Sequence, residues 1–307
     1  MAVLLVLGTL APLPANALER GGINTGGTSF FDGFAGLAPG CTYIQYLTHD
    51  TFTQANGANG DKLPVSATLD VNAVAPQLAC NSDMKLFGGV LGWNTIVPFA
   101  NQDAGGVLTS NGTGLGDIMA GPYIQFPPIM QGGHPVFSHG FELDIFTPTG
   151  KFSSGKNVNP GNDYWSISPF WKATWLPAQG WEVSWRLNYI HNFDYLSAAN
   201  VAGYAGTGAL QHAGDGAWVN FTASREVFKD FYFGLNGYWL KQLSSDTLAG
   251  GATAPLGQQE SLYMGPGFHY TFNPKNILNV NVYLPVYNEN ALSGGYQVNL
   301  QYIHPLN

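Results

Sequence analysis

The chain has 307 residues, enough for a large core or a barrel, yet only 10% are charged, against about 25% in an ordinary soluble domain. With 45% hydrophobic residues it is poor in charge without being rich in apolar groups. That excludes a conventionally solvated surface and suits a wall that is apolar on one side and wet on the other. A net charge of −8 with only 11 Lys+Arg excludes a phosphate-tracking surface, so no nucleic-acid partner is expected.

Residues 2–18 form an apolar stretch that ends in the small-x-small pattern Ala15-Asn16-Ala17. Pro12 and Pro14 argue against a spanning helix, and residues 1–17 are read as a secretion signal. Residues 18–40 are Gly-rich and irregular, carry Phe30, Phe31 and Phe34, and are expected at the barrel mouth or in its lumen as a possible plug. From residue 41 to 307 the chain reads as an all-β, closed antiparallel transmembrane barrel.

Strands are predicted near 41–53, 65–79, 84–99, 115–126, 135–147, 164–176, 181–195, 216–227, 231–243, 260–272, 277–287 and 295–304. That is about 12, an even number, as single-chain bacterial barrels have. Side chains alternate between faces along a strand, so a half-lipid, half-lumen wall imposes a period of two. In 84–99, Phe87, Leu91, Trp93, Val97 and Phe99 share a face. In 135–147, Phe137, Phe141, Leu143 and Ile145 oppose Glu142 and Asp144. In 164–176, Trp165, Ile167, Trp171, Ala173 and Trp175 oppose Ser166, Ser168, Lys172 and Thr174. In 181–195, Trp181, Val183, Trp185 and Leu187 oppose Glu182, Ser184, Arg186 and Asn188. In 277–287, Leu278, Val280, Val282 and Leu284 oppose Asn279, Asn281 and Tyr283.

A soluble sandwich would also alternate, but two features favour the membrane barrel. Short connections (177–180, 228–230, 273–276) alternate with long ones (100–114, 148–163, 196–215, 244–259), as periplasmic turns and extracellular loops do. The charges on the apolar face, Lys85, Arg225 and Lys241, fall near strand ends; at the bilayer midplane each would cost about 2–4 kcal/mol. With both termini periplasmic, Cys41 starts the first strand and Cys80 follows the second, so both are placed at the periplasmic rim, where an oxidising compartment can pair them.

Gly114-Leu115-Gly116-Asp117-Ile118, Gly121-Pro122-Tyr123, Asp144-Ile145-Phe146-Thr147-Pro148-Thr149-Gly150 and Asn159-Pro160-Gly161-Asn162-Asp163 resemble segments of the outer-membrane protein family named for the meta-pathway of phenol degradation. The resemblance covers most of the chain after residue 40. It implies a barrel tied to aromatic-compound catabolism that imports hydrophobic substrates. One departure is the C-terminus, His304-Pro305-Leu306-Asn307, where such barrels commonly end in an aromatic residue; Tyr302 is the candidate assembly signal for the barrel assembly machinery.

Candidate lumen or constriction residues are Asp117, Tyr123, Glu142, Asp144, Lys172, Glu182, Arg186, Asn188 and Tyr238. Their charges either brace the interior of the wall or shape a selective constriction, and the aromatics either fill the lumen or offer sliding contacts to a ring. Barrels of eight strands are filled by side chains and those of sixteen leave a channel, so about twelve permits either a narrow path or a plugged one. Pro122, Pro169 and Pro266 sit within strands and each removes a ladder donor. Pro122 is expected opposite Gly92, near Gly88 and Gly89, giving either a tolerated bulge or a weak lateral seam through which an apolar solute leaves for lipid.

No Ser–His pair can be placed for nucleophilic catalysis, no close His/Cys/Glu set suggests a metal, and no phosphate loop appears; neither an enzyme nor a cofactor is expected. The partners expected are outer-membrane lipid and a small hydrophobic or aromatic solute. Three functions are compatible: a passive channel for such solutes, a structural or surface-recognition barrel with a sealed lumen, and a barrel-borne lipid hydrolase.

Overall fold

The computed structural model describes residues 23–199, 210–254 and 257–306; the expected signal at 1–17 lies outside them. Twelve strands make the wall: β1 Gly40–Phe52, β2 Ala67–Leu86, β3 Gly89–Ile96, β4 Met119–Gln125, β5 His134–Phe146, β6 Ser166–Trp175, β7 Trp181–Asn192, β8 Gly216–Phe228, β9 Phe231–Gln242, β10 Glu260–Asn273, β11 Asn276–Glu289 and β12 Gln297–Pro305. Each pairs antiparallel with its sequence neighbours, and β1 pairs with both β2 and β12, which closes the cylinder and leaves the wall no free edge. β3 resumes after Val97-Pro98 as Phe99–Gly106, still paired with β2.

The period of two holds in space. On β7, Glu182, Ser184, Arg186, Asn188, Ile190 and Asn192 are buried while the residues between them face out. Large apolar groups, Leu187, Leu143, Phe233, Leu235, Trp175 and Trp239 among them, stand on the outer face. So extensive an exposed apolar surface is stable only in hydrocarbon, with indole and phenol rings at its interfaces. No described helix is long and apolar enough to cross a membrane; the strands make the crossing.

The region of the first turn departs from expectation. The polar run Asn81-Ser82-Asp83 suggests a turn, yet β2 continues through it to Leu86. The chain reverses at Phe87 and Gly88, both in the left-handed region at φ 50° and 87°. The polar run is tolerated because it carries a bulge between Asn81 and Lys85 and because Asn81 spends its amide inward, donating to the carbonyls of Gly36 and Ala38 at 2.6 and 3.2 Å. Phe87 therefore belongs to the turn and not to the outer face of β3, and Cys80 lies within β2, not after it.

Cys41 faces Cys80 directly across β1 and β2, Cα–Cα 4.0 Å, and the two are disulfide-bonded. Thr42 and Ala79 beside them line the lumen, so the bridge sits on the outer side of the wall near its periplasmic end. The bridge closes a sequence separation of 39 residues, which removes about 4 kcal/mol of chain entropy from the unfolded state. Replacing both cysteines by serine is expected to lower the urea midpoint of the liposome-folded barrel by an amount matching a loss of about 2–4 kcal/mol; an unchanged midpoint would show that the link adds nothing to stability.

Candidate functional site

Residues 23–39 run inside the cylinder. Their backbone groups are satisfied by lumen-facing side chains: Gly26 N–H donates to Asn220 Oδ1 (3.0 Å), Phe31 N–H to Glu182 Oε1 (3.0 Å) and Gly33 N–H to Thr174 Oγ1 (2.9 Å). In return Asn24, Gly26 and Gly33 carbonyls accept from Trp218 (3.1 Å), Tyr283 (2.7 Å) and Ser138 (2.8 Å). Asp32 forms a two-point ion pair with Arg186, Nε–Oδ2 2.9 Å and Nη2–Oδ1 2.8 Å, and the guanidinium lies 4.2 Å from the Phe170 ring centroid. Paired planar forks of this kind combine strength with a fixed orientation. Phe31 packs edge-on against Tyr232 and beside His269, both at 4.9 Å.

Gly33 meets the wall most closely. A Cβ there would lie 2.2 Å from Thr174 N and 2.4 Å from the Ser138 carbonyl, so only glycine seats the segment at this depth.

The remaining lumen is divided into two chambers. The extracellular one, about 250 Å³, is walled by Phe52, Leu69, Val71, Leu240 and the stacked rings of Tyr238 and Tyr263, 5.2 Å apart. The periplasmic one, about 330 Å³, holds the charges Asp32, Glu142, Asp144, Lys172 and Arg186. Asn24, Tyr46, Ile96, Met119 and Phe146 line both and form the partition. The division follows height in the wall: up β7 the lumen side reads Glu182, Ser184, Arg186, Asn188, then Ile190, and down β8 it reads Trp218, Asn220, Thr222, Ser224. The apolar positions fall at one level and join Met119, Phe146, Tyr238, Leu240, Tyr263 and Tyr283 in one buried cluster.

The candidates from sequence fall into several groups. Glu142, Asp144 and Lys172 come together: Lys172 Nζ is 3.7 Å from Glu142, and Asn94 bridges Glu142 and Asp144. Tyr123 joins them beneath Lys172 at 5.6 Å and donates to Asn81 Oδ1 at 2.7 Å. Glu182 is fully buried and accepts from Phe31, Ser184 and Ser224, which makes it part of the seat of the 23–39 segment. Asn188 donates to the carbonyls of Arg186 and Trp218 at 3.1 and 3.2 Å and lines the charged chamber. Tyr238 donates to Gln297 (2.9 Å) in the apolar chamber.

Asp117 is not on a strand of the wall as expected. It lies in the 116–118 link at the extracellular end, where its two oxygens accept Gly150 N–H (2.9 Å) and Asn162 N–H (2.7 Å) and so clasp two loop segments over the lumen. Burial pushes its carboxyl up to about 6. A folded-state value above the unfolded one makes its contribution largest below about pH 4, and that contribution is lost as pH rises through about 6.

The expected seam is also displaced. Pro122 faces Trp93, and Gly92 faces Tyr123, in an unbroken β3–β4 register from Val90↔Gln125 to Ile96↔Met119. Gly92 accommodates the Tyr123 ring, which a Cβ would strike at 2.2 Å, so the glycine packs an aromatic and does not weaken the ladder. Gly88 is in the turn, and Gly89 lies under Ile124. The interrupted ladder is on the other flank of Pro122: the β4–β5 rungs at Gly121 and Pro122 are missing between Ala120↔Ile145 and Tyr123↔Glu142, with the register unchanged and the Gly121 backbone still against the Leu143 carbonyl. The β6–β7 rungs at Ser168 and Pro169 are likewise missing, between Ile167↔His191 and Phe170↔Asn188, again with no change of register. Both prolines line one groove of about 580 Å³ on the outer wall, with Leu143, Trp171 and Leu187, and Glu142 and Asn188 from the lumen-facing set also reach it.

A closed twelve-stranded cylinder with a lipid-facing exterior and a chambered interior defines a bacterial outer-membrane β-barrel. The chain belongs to the family described as "Putative MetA-pathway of phenol degradation", whose pattern matches residues 52–302. Among solved structures it is similar to the COG4313 outer membrane channel from Pseudomonas putida F1, with TM-score 0.76 at 16% identity over 90% of this chain and 98% of that one. Weaker likenesses, which carry no argument, are to the TodX deltaS2S3 mutant monoaromatic hydrocarbon channel (TM-score 0.48, 10% identity, 94% and 98% covered) and to the beta domain of the Bordetella autotransporter BrkA (0.48, 10%, 88% and 100%). No curated protein matches the sequence.

Proposed function

We propose that the protein is a passive outer-membrane channel through which small hydrophobic, aromatic compounds enter the cell. The observation that carries this is the apolar chamber within an otherwise polar lumen: Leu69, Val71, Leu240, Tyr238 and Tyr263 enclose about 250 Å³ on the extracellular side. Burying an apolar ring there gains about 25 cal/mol per Å² removed from water. Membership of a family described by phenol degradation supports the same substrate class, and the likeness in fold to an outer membrane channel supports the channel role.

Below the partition such a solute meets the plug and five charged side chains, whose desolvation it cannot repay. The proline-interrupted ladders at Pro122 and Pro169 lie just below the partition, beside Glu142 and Asn188 of the charged chamber, and offer a lateral exit to lipid before the solute crosses the rest of that chamber. Outer-membrane lipid is then a partner in transport as well as in folding, and the last strand, with Tyr302, engages the barrel assembly machinery during biogenesis.

The test is uptake of radiolabelled toluene and phenol at micromolar concentration by cells with and without the gene. Loss of uptake on deletion is the expected result, and undiminished uptake refutes the role in favour of a sealed structural or recognition barrel. A crosslink between Pro122→Cys and Leu143→Cys across the skipped rungs is expected to block uptake until reduced. If it does not, the exit lies elsewhere.

A further inference from the structure

The extracellular end of the barrel carries two histidines outside the lumen. His191 ends the outward-facing row of β7, and His212 belongs to a small three-stranded sheet of Asp194–Ala199, Leu210–His212 and Thr247–Leu248. Both line an open groove of about 770 Å³ with Trp165, Phe193, Asp194 and Leu196. Their ring centroids are 6.1 Å apart, and with side chains 39% and 24% exposed both can be reached by a solute.

Each imidazole is held through Nδ1. His191 Nδ1 lies 3.0 and 3.1 Å from the two Asp215 oxygens, and His212 Nδ1 lies 3.1 Å from Asp194 Oδ1. Asp215 is itself fixed, accepting the Tyr189 hydroxyl at 2.7 Å and the Asn192 N–H at 3.2 Å. An ionised carboxylate only accepts, so each ring donates Nδ1–H to it, and a neutral ring then carries its lone pair on Nε2. Among the described residues neither Nε2 has a hydrogen-bond partner.

Pairing Nδ1–H with a carboxylate is how proteins orient a histidine toward a metal. An ion about 2.0–2.1 Å from both Nε2 atoms puts the ring centres about 4.5–6.4 Å apart, according to the N–metal–N angle. The observed 6.1 Å lies inside that range. The groove lining includes the Asp194 carboxylate and, among the described residues, no lysine or arginine, so its field favours a cation. The described residues contain no set of three or more His, Cys, Asp or Glu that could hold an ion. Two nitrogens are therefore the protein's contribution, and water fills the other coordination positions.

We propose that His191 and His212 together bind one Cu²⁺, Ni²⁺ or Zn²⁺ ion at the extracellular rim, with Asp215 and Asp194 as positioning residues. Imidazole suits these ions, whereas Mg²⁺ and Ca²⁺ take oxygen ligands. An ion there joins the end of β7 to the small sheet, and the site stands independently of the uptake role.

Calorimetric titration of the tag-free, detergent-folded barrel with the chlorides of copper, nickel, zinc and magnesium near neutral pH tests this. Saturable binding of one ion per chain is expected, tightest for Cu²⁺ and absent for Mg²⁺, and weakening below about pH 6.5 as the imidazoles take up protons. The electron paramagnetic resonance spectrum of the copper-loaded barrel should show coupling to two imidazole nitrogens, and to one in His212→Ala. Asp215→Asn is expected to lower affinity on the order of 10–100-fold, and His191→Ala to lower it further; heat-modified gel mobility shows that each variant has folded. No saturable binding to the parent, or binding retained by the variant lacking both histidines, would overturn the site. Unchanged affinity in Asp215→Asn would overturn the positioning role.

Discussion

Replacing Gly33 by valine is expected to unseat the N-terminal segment and convert an occluded barrel into a conducting one. The Gly33 backbone touches the wall: its N–H reaches Thr174, and its carbonyl accepts from Ser138 and Gln125 at 2.8 and 2.9 Å. A side chain at that position would overlap the backbones of Thr174 and Ala173 at 2.2–2.5 Å. The wall cannot yield, because those atoms belong to the β5–β6 ladder. The segment yields instead and gives up these three hydrogen bonds, worth about 1 kcal/mol each. The ratio of seated to unseated segment should therefore fall on the order of a hundredfold. In planar bilayers this appears as frequent, long openings where the parent barrel is nearly silent. An unchanged current record would mean that the segment either does not sit at this depth or does not limit conduction.

Arg186→Met should produce the second large effect. The Arg186–Asp32 pair is about nine-tenths shielded on both sides, and removing one partner from a buried pair costs about 3–5 kcal/mol because the other charge is left uncompensated. Two responses are open to Asp32: it stays and destabilises the barrel, or it rehydrates by leaving with the segment. Either outcome is visible, as a lower urea midpoint or as bilayer openings like those of Gly33→Val. Adding Asp32→Asn removes the orphaned charge and should recover most of the loss. A single variant indistinguishable from the parent in both assays would show that the ion pair holds nothing in place.

Much of the wall is legible in the sequence because its physics is local. β6, β7 and β11 alternate tryptophan, leucine or valine with serine, asparagine or charged residues, and a closed cylinder in lipid allows only one orientation for each set. The turn at Phe87-Gly88 was hidden because Asn81-Ser82-Asp83 is the more polar run, and nothing nearby in sequence discloses that Asn81 is satisfied by Gly36 and Ala38 from within the lumen. The neighbour of Pro122 is misplaced from sequence for a related reason. Counting back from a loop fixes register to within a residue or so, and here one residue exchanges Gly92 for Trp93 as the neighbour of Pro122.

The plug and the apolar chamber were harder to read. A Gly-rich segment has no period, and Gly33 differs from its glycine neighbours through contacts 92, 105 and 141 residues away. The chamber did leave a trace that alternation alone passes over. Met119, Phe146, Ile190, Trp218 and Leu240 are apolar at positions whose parity assigns them to the lumen, and each lies near the extracellular end of its strand. An apolar group that breaks the polar rhythm on the wet face is the sequence signature of an internal apolar band.

The most direct test of the account is where a ring-sized aromatic settles in the folded protein. Crystals soaked with 4-bromophenol should show the bromine anomalous signal between Leu69, Tyr238 and Tyr263, above the partition formed by Tyr46, Met119 and Phe146. Bromine found only on the outer wall, or only among Glu142, Lys172 and Arg186 below that partition, would contradict the account.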